Sequence, residues 1–180
     1  MIYNEISKLH ITEPTAVVIG KFDGFHKGHQ KLIKKALEIK AQHEGLKVCA
    51  FVIIGAVKGE PIISVEERCN ALRELGVDYI IACQFTEDIR TMSAEDFLYD
   101  VILGKLNAKY IVAGPDVKFG HMGAGDMEYL RRHEDTDDFK LVIIEKELYK
   151  ERAISSTRIK DCIAAGDIDS ANAMLGNETL

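Results

Sequence analysis

Between an apolar run and an amphipathic helix the chain reads Gly20-Lys21-Phe22-Asp23-Gly24-Phe25-His26-Lys27-Gly28-His29, and this junction limits the possible folds more than any other segment. Ala16 to Ile19 is short, rich in β-branched residues and closed by Gly20, the pattern of a strand buried on both faces of a parallel sheet. From His29 onward, Leu32, Ile33, Ala36 and Leu37 recur at helical spacing, while Lys31, Lys34, Lys35 and Lys40 take the other face. A strand, a Gly-rich turn and a helix start in succession aim unpaired backbone N–H groups and the positive end of the helix dipole at one point. That arrangement stabilises an anionic phosphate. Two imidazoles, His26 and His29, are placed to donate to phosphate oxygens there.

A phosphate ligand has to meet local positive charge, because the formal net charge of the chain is -6. The acidic balance excludes a nucleic-acid surface, whose footprint is a basic face or stripe. With 180 residues, 47% of them hydrophobic, the chain can bury one substantial core, and residues 1–180 are expected to form one domain. Cys49, Cys69, Cys83 and Cys162 form no Cys-x-x-Cys pair, and three of them sit in apolar stretches, which predicts buried free thiols in a reducing compartment. The N-terminus has no basic start followed by an apolar block. The longest apolar run, Val48 to Val57, is far short of the ~20 residues that span a bilayer. These features predict a soluble cytoplasmic protein with no membrane or nucleic-acid partner.

Strand and helix patterns alternate without a linker or repeat, which predicts an α/β fold: a Rossmann-like, doubly wound parallel sheet of about five strands. The strands are expected at Thr15 to Ile19, Lys47 to Ile54, Asp78 to Cys83, Tyr110 to Ala113 and Lys140 to Ile144. Ser64 with Glu67 forms a capping box ahead of Val65, Cys69, Leu72 and Leu75, and Ser93 caps a helix that buries Phe97, Val101 and Leu106. Ser155 or Ser156 caps a helix with Ile159, Cys162 and Ile163 inward. Gly166 stops it, and Asp167 starts a last short helix through Leu175. Ligands in such sheets sit beyond the carboxyl ends of the strands, where the Gly20–His29 junction lies.

Three further segments fall at the same end. Gly114-Pro115-Asp116-Val117-Lys118-Phe119-Gly120 follows a strand and reads equally as a turn or as part of a site. Ile154-Ser155-Ser156-Thr157-Arg158-Ile159-Lys160 offers caps, hydroxyls and two cations together. The loop Gly55 to Pro61, with Lys58, reads as a solvated connector. The histidine pair is open to a purely structural role, and zinc finds no nearby cysteine or carboxylate pair to complete a tetrahedron beyond Asp23. His10, His43, His121 and His133 are scattered and assigned to the surface.

Taken in order, Gly20-x-Phe22-Asp23-Gly24-x-His26-x-Gly28-His29-Gln30, Leu75-Gly76-Val77-Asp78, Phe85-Thr86, Ala113-Gly114-x-Asp116-x-x-Phe119-Gly120, Ile154-Ser155-Ser156-Thr157-Arg158-Ile159 and the ending Ala165-Gly166-Asp167-Ile168, Ala171-Asn172, Leu175-Gly176 carry a resemblance. The chain resembles the His-x-Gly-His nucleotidyltransferases, and specifically the FAD synthetase (FMN adenylyltransferase) module of bifunctional riboflavin kinase/FAD synthetases. The resemblance runs from about Ala16 to Gly176. It implies a stand-alone enzyme in which the FMN phosphate attacks the α-phosphorus of ATP, giving FAD and pyrophosphate, with Mg²⁺ carried by the ATP phosphates and no metal ligand assigned in the protein. It also implies that no riboflavin kinase domain is present and that FMN comes from a separate riboflavin kinase. The residue roles it implies are these. His26 and His29 donate to the ATP phosphates, Ser155, Ser156 and Thr157 hold the β and γ phosphates, and Arg158 or Lys160 neutralises the leaving group. Gly20, Lys21, Phe22, Asp23, Gly24 and Gly28 bind the nucleotide and its phosphates, with Asp23 a cap, turn former or ligand. Gly114 and Asp116 border the adenosine or the acceptor phosphate, and Phe51, Ile53 and Phe119 border the flavin.

The chain departs from the family pattern in three places. Phe51-Val52-Ile53-Ile54-Gly55 stands where the family carries Phe-x-Pro-His-Pro beside the flavin, Lys118 replaces an arginine, and Lys160 replaces the arginine that closes the Ser-Ser-Thr motif. Lysine keeps the charge but not the planar two-pronged contact. Two alternatives stay open on these residues: an adenylyl- or cytidylyltransferase for another phosphorylated acceptor, and a non-catalytic nucleotide-binding relative.

Overall fold

A computed structural model of the chain describes residues 2–3, 6–55, 59–134, 136 and 138–176; Lys58 of the expected connector lies outside them. Along the chain run β1 (Ile2–Tyr3), β2 (Thr15–Gly20), α1 (Lys27–Gln42), β3 (Lys47–Ile54), α2 (Val65–Glu74), β4 (Tyr79–Gln84), α3 (Glu87–Thr91), α4 (Ala94–Asp96), β5 (Ala108–Ala113), β6 (Lys118–Phe119), β7 (Gly125–Asp126), α5 (Met127–Glu134), β8 (Lys140–Ile143), β9 (Leu148–Tyr149), β10 (Arg152–Ala153), α6 (Ser156–Ala164) and α7 (Ile168–Leu175). The central sheet has the order β1-β4-β3-β2-β5-β8, parallel throughout, with Val17 opposite Cys49 on one side and Ile111 on the other. All five expected strands are present. The sixth, β1, pairs two residues with Ile80 and Ile81 and is too short to leave a periodic signal.

Because successive side chains of a strand point to opposite faces, the sheet divides the core in two. Ala16, Val18, Val48, Ala50, Val52 and Ile80 lie under α1 and α2 with Leu32, Ile33, Ala36 and Leu72. Val17, Ile19, Cys49, Phe51 and Ile81 lie under Phe97, Leu98, Val101, Ile102 and Phe119 on the other face. That second cover starts at Ser93, whose Oγ accepts the N–H of Asp96 at 2.9 Å. It then widens over Phe97–Lys105 into a π-helix, in which the Leu106 N–H reaches Val101 O at 3.0 Å. The capping box of α2 is complete, with Ser64 Oγ accepting from Glu67 N–H at 3.2 Å and the Glu67 carboxylate accepting from Ser64 N–H at 2.7 Å. Cys49, Cys69 and Cys83 are buried and Cys162 half-buried, all four free. Burial pushes the Cys83 thiol up to about 11. Among the described residues no helix is long and apolar enough to cross a membrane.

The chain goes from β2 outward to β3 and β4, then returns to β5 on the other side of β2. The carboxyl ends of β2 and β5 therefore flank the point where the strand order reverses, the place in open α/β sheets where ligands bind. Gly20 closes β2 and Gly114 follows β5.

Candidate functional site

The β2–α1 loop is tight and strained. Phe22 and Phe25 adopt left-handed φ values of 52° and 43°, with Gly24 at 77° between them. Such values are uncommon for residues other than glycine and persist only where packing enforces them. Phe22 supplies that packing, being fully buried in the α1-side core, and its ring lies 5.1 Å from that of His29. The Phe22 side chain is thus a structural anchor of the loop. Close packing also explains Gly28, where a Cβ would stand 3.2 Å from the His26 ring.

The helix starts two residues earlier than its apolar stripe indicates, at Lys27, with His26 as N-cap. The His29 N–H donates to His26 Nδ1 at 3.4 Å, so His26 Nδ1 carries no proton and the ring presents an Nε2–H donor. The two imidazoles stack at 3.7 Å with planes 17° apart. His29 Nδ1 is buried with no hydrogen-bond partner among the described residues, although buried polar atoms are nearly always paired. Burial lowers His26 to about 4 despite the opposing pull of Asp23 and Asp116. Burial, then the neighbouring His26 and Arg68, holds His29 well below the ordinary imidazole value. At neutral pH both rings are therefore uncharged donors, and positive charge has to come from elsewhere.

That charge gathers around Asp23, whose side chain is 1% exposed. Its Oδ1 accepts from Ile62 N–H at 2.8 Å and from Arg68 Nη2 at 3.3 Å. Its Oδ2 forms an ion pair with Lys160 Nζ at 2.9 Å, placed off hydrogen-bond alignment. Arg68, 2% exposed, also donates to Ile63 O from Nε (3.2 Å) and Nη2 (3.0 Å), and to Lys21 O from Nη1 (3.2 Å). Sequence reasoning passed over it, yet the signal was there. Val65, Arg68, Cys69 and Leu72 share one face of α2, so the arginine interrupts an otherwise apolar stripe. Ser156 Oγ donates to the carbonyl of Asp23 at 2.8 Å, which joins the β2–α1 loop to the start of α6.

At α6 the three hydroxyls have distinct places. Ser155 is the cap, its Oγ accepting from Arg158 N–H at 3.2 Å, Ser156 is the bridge, and Thr157 is exposed. Arg158 turns to the β9–β10 hairpin instead, donating to Arg152 O at 2.7 Å and lying 5.5 Å over the Tyr149 ring. This corrects its assignment beside Lys160, because its guanidinium holds carbonyls of the hairpin. On the β5 side, Asp116 is exposed and paired with Lys146 at 2.8 Å, a lysine the sequence did not single out, and a Cβ on Gly114 would meet Asp116 Oδ1 at 3.2 Å. The flavin-side set also needs correction. Phe51 is fully buried with its ring edge-on to Phe97, and Phe119 is 6% exposed against Phe97 and Tyr129. Both are core residues, and of the three only Ile53 is half-buried.

Comparison with known proteins follows the same outline. The family model described as FAD synthetase matches residues 8–158. Bifunctional riboflavin kinase/FMN adenylyltransferases of Buchnera aphidicola from Schizaphis graminum and of Bacillus subtilis are each 31% identical. They cover 92% and 93% of this chain, which in turn covers 56% and 58% of them, so the chain spans about half the length of these curated relatives. A Streptococcus pneumoniae crystal structure titled as a macrolide-efflux protein superposes with a TM-score of 0.84 at 26% identity, covering 98% of this chain and 60% of its own. The Thermotoga maritima TmcAL bound with alpha-thio ATP, at TM-score 0.56 and 14% identity over 89% of this chain and 52% of its own, shares the fold. The ordered motifs, the parallel sheet with its switch-point site and the family match agree: the chain belongs to the FAD synthetase family.

Proposed function

We propose that the chain transfers AMP from ATP to FMN, giving FAD and pyrophosphate. The carrying observation is the 2.8 Å bond from Ser156 Oγ to the Asp23 carbonyl, which fixes two helix N-termini, those of α1 and α6, beside one loop. Each presents unpaired N–H groups and the positive end of a helix dipole. A phosphoryl oxygen of FMN attacks the α-phosphorus, a P–O bond forms, and the bond to the bridging oxygen breaks with pyrophosphate leaving. The nucleophile is already an anion, so the protein needs no serine or cysteine nucleophile. It needs alignment of two anions and stabilisation of the charge that develops. His26 and His29 act as neutral N–H donors, Ser155, Ser156 and Thr157 with the start of α6 receive the outer phosphates, and Lys160 supplies positive charge.

Mg²⁺ enters with the ATP phosphates. Among the described residues no group of three or more His, Cys, Asp or Glu side chains gathers to hold an ion, and the nearby carboxylates of Asp23 and Asp116 are each engaged by a lysine. In this reading residues 1–180 form one nucleotidyltransferase unit in the cytoplasm, and a riboflavin kinase activity supplies its FMN. The test is pyrophosphate and FAD formation from FMN and MgATP, expected to proceed with FMN and to fail with riboflavin, which lacks the attacking phosphate.

A second reading, adenylyl or cytidylyl transfer to another phosphorylated acceptor, is favoured by one observation: Phe51 and Phe119 lie in the core and leave the acceptor side without those two aromatic walls. Pyrophosphate release with nicotinamide mononucleotide, pantetheine phosphate or glycerol phosphate but not with FMN would select it.

A further inference from the structure

Arg68 lies beneath the phosphate loop rather than on it. Its guanidinium reaches three groups on two separate pieces of chain: Lys21 O and the Asp23 carboxylate in the β2–α1 loop, and Ile63 O just ahead of α2. Asp23 in turn receives the N–H of Ile62 and the ammonium of Lys160, and its carbonyl accepts Ser156 Oγ. The loop it fixes holds Phe22, Gly24 and Phe25 at positive φ, a conformation that relaxes unless its surroundings enforce it. A planar guanidinium with five N–H donors can satisfy two carbonyls and a carboxylate at once, which an ammonium cannot do in the same geometry.

Resting on the adenylyl-transfer reading, we propose that Arg68 is a positioning residue of this site: it holds the His26–His29 loop, the segment ahead of α2 and, through Asp23, Lys160 of α6 in one fixed arrangement. It touches no substrate. Its effect on the reaction passes through the placement of the histidines and of Lys160, where errors of about 1 Å can cost on the order of 10²-fold in rate.

The test compares wild type, Arg68→Lys and Arg68→Met. Circular dichroism and thermal melting establish folding. MgATP-analogue binding is measured by calorimetry, and kcat and KM for ATP and FMN come from pyrophosphate release well below each melting point. Arg68→Lys retains the charge opposite Asp23 and is the variant that decides the matter if Arg68→Met does not fold. The expected result is a folded Arg68→Lys with kcat lowered about 10- to 10²-fold and nucleotide affinity weakened at least about 10-fold, and a larger loss in Arg68→Met. A folded Arg68→Lys with kcat, KM and nucleotide affinity within about two-fold of wild type, whatever its melting point, overturns the proposal, since Arg68 would then serve the fold alone. Wild type that binds the ATP analogue but releases no pyrophosphate with FMN refutes the FMN reading, and Arg68 is then judged by the affinity loss. Wild type that binds no nucleotide overturns both.

Discussion

At the scale of single residues the proposed reaction rests on two stacked imidazoles that burial keeps uncharged, because a neutral N–H donor aimed at developing charge needs no proton uptake to work. His29→Ala is expected to lower kcat by roughly 10²- to 10³-fold, the scale for one preorganised donor, with a smaller effect on ATP affinity. An acid limb in the wild-type profile of kcat/KM at about 6 should belong to the second ionisation of the FMN phosphate and should persist unchanged in His29→Ala. An alanine variant with near-normal kcat would assign His29 to structure alone. Lys160 separates charge from geometry. Its 2.9 Å ion pair with Asp23 asks only for a cation, so Lys160→Arg should stay within a few-fold of wild type, while Lys160→Met should lose activity. Equal pyrophosphate release by all three forms would remove Lys160 from the mechanism. The places of His26, His29, Ser155 and Ser156 at the starts of two helices were legible in the sequence because helix-start chemistry is local. Arg158 was not, since its partners are the carbonyls of Arg152 and Ala153, and no pattern in residue types shows which way a guanidinium turns.

Elements that follow from periodicity and caps were legible almost to the residue. Lys47–Ile54 matches its expected bounds because Gly55, which takes a positive φ, breaks the apolar run after Ile54, and the Ser64–Glu67 box marks the start of α2. The short hairpins β6–β7 and β9–β10 were not foreseen. Each pairs only two residues per strand, fewer than an alternation needs to declare itself. The relation between elements was the least visible part, since α1 and α6 are far apart in sequence and are joined through Asp23, which takes the Ser156 hydroxyl on its carbonyl and the Lys160 ammonium on its carboxylate. Ser156→Ala tests that junction. Removing the Oγ donor should cost about 0.5–1.5 kcal/mol of stability, the usual net worth of one hydrogen bond, and a larger fraction of kcat than such a loss accounts for. Urea denaturation beside steady-state kinetics measures both, and a change in stability alone would mean the two helix starts act independently.

For the whole molecule, the proposed reaction asks an acidic chain of net charge -6 to bind an anion, and the fold places Arg68 and Lys160 around the buried Asp23 at the switch point of the sheet and excludes water from the histidines. That exclusion links the site to global stability. Burial lowers His26 from 6.5 to about 4 and His29 in the same direction, so the unfolded chain binds protons at these positions that the folded chain refuses. A group whose folded value is depressed contributes its full stability above the unfolded value, here near 6.5, and loses it as pH falls toward the folded one. Each pH unit in that interval should therefore cost up to about 1.4 kcal/mol per histidine, a large fraction of the roughly 5–15 kcal/mol that holds a domain together. Glu13 and Glu67, both held below their ordinary value of 4.5, affect stability only at lower pH, so urea unfolding between pH 7 and 5 isolates the histidines. The free energy of unfolding should fall steadily across that range. His26→Asn, which retains an N-capping side chain, should fall about half as steeply. Identical slopes in the two proteins would show that His26 takes up its proton in the folded state, and with it the picture of two neutral donors at the phosphate loop would have to be abandoned.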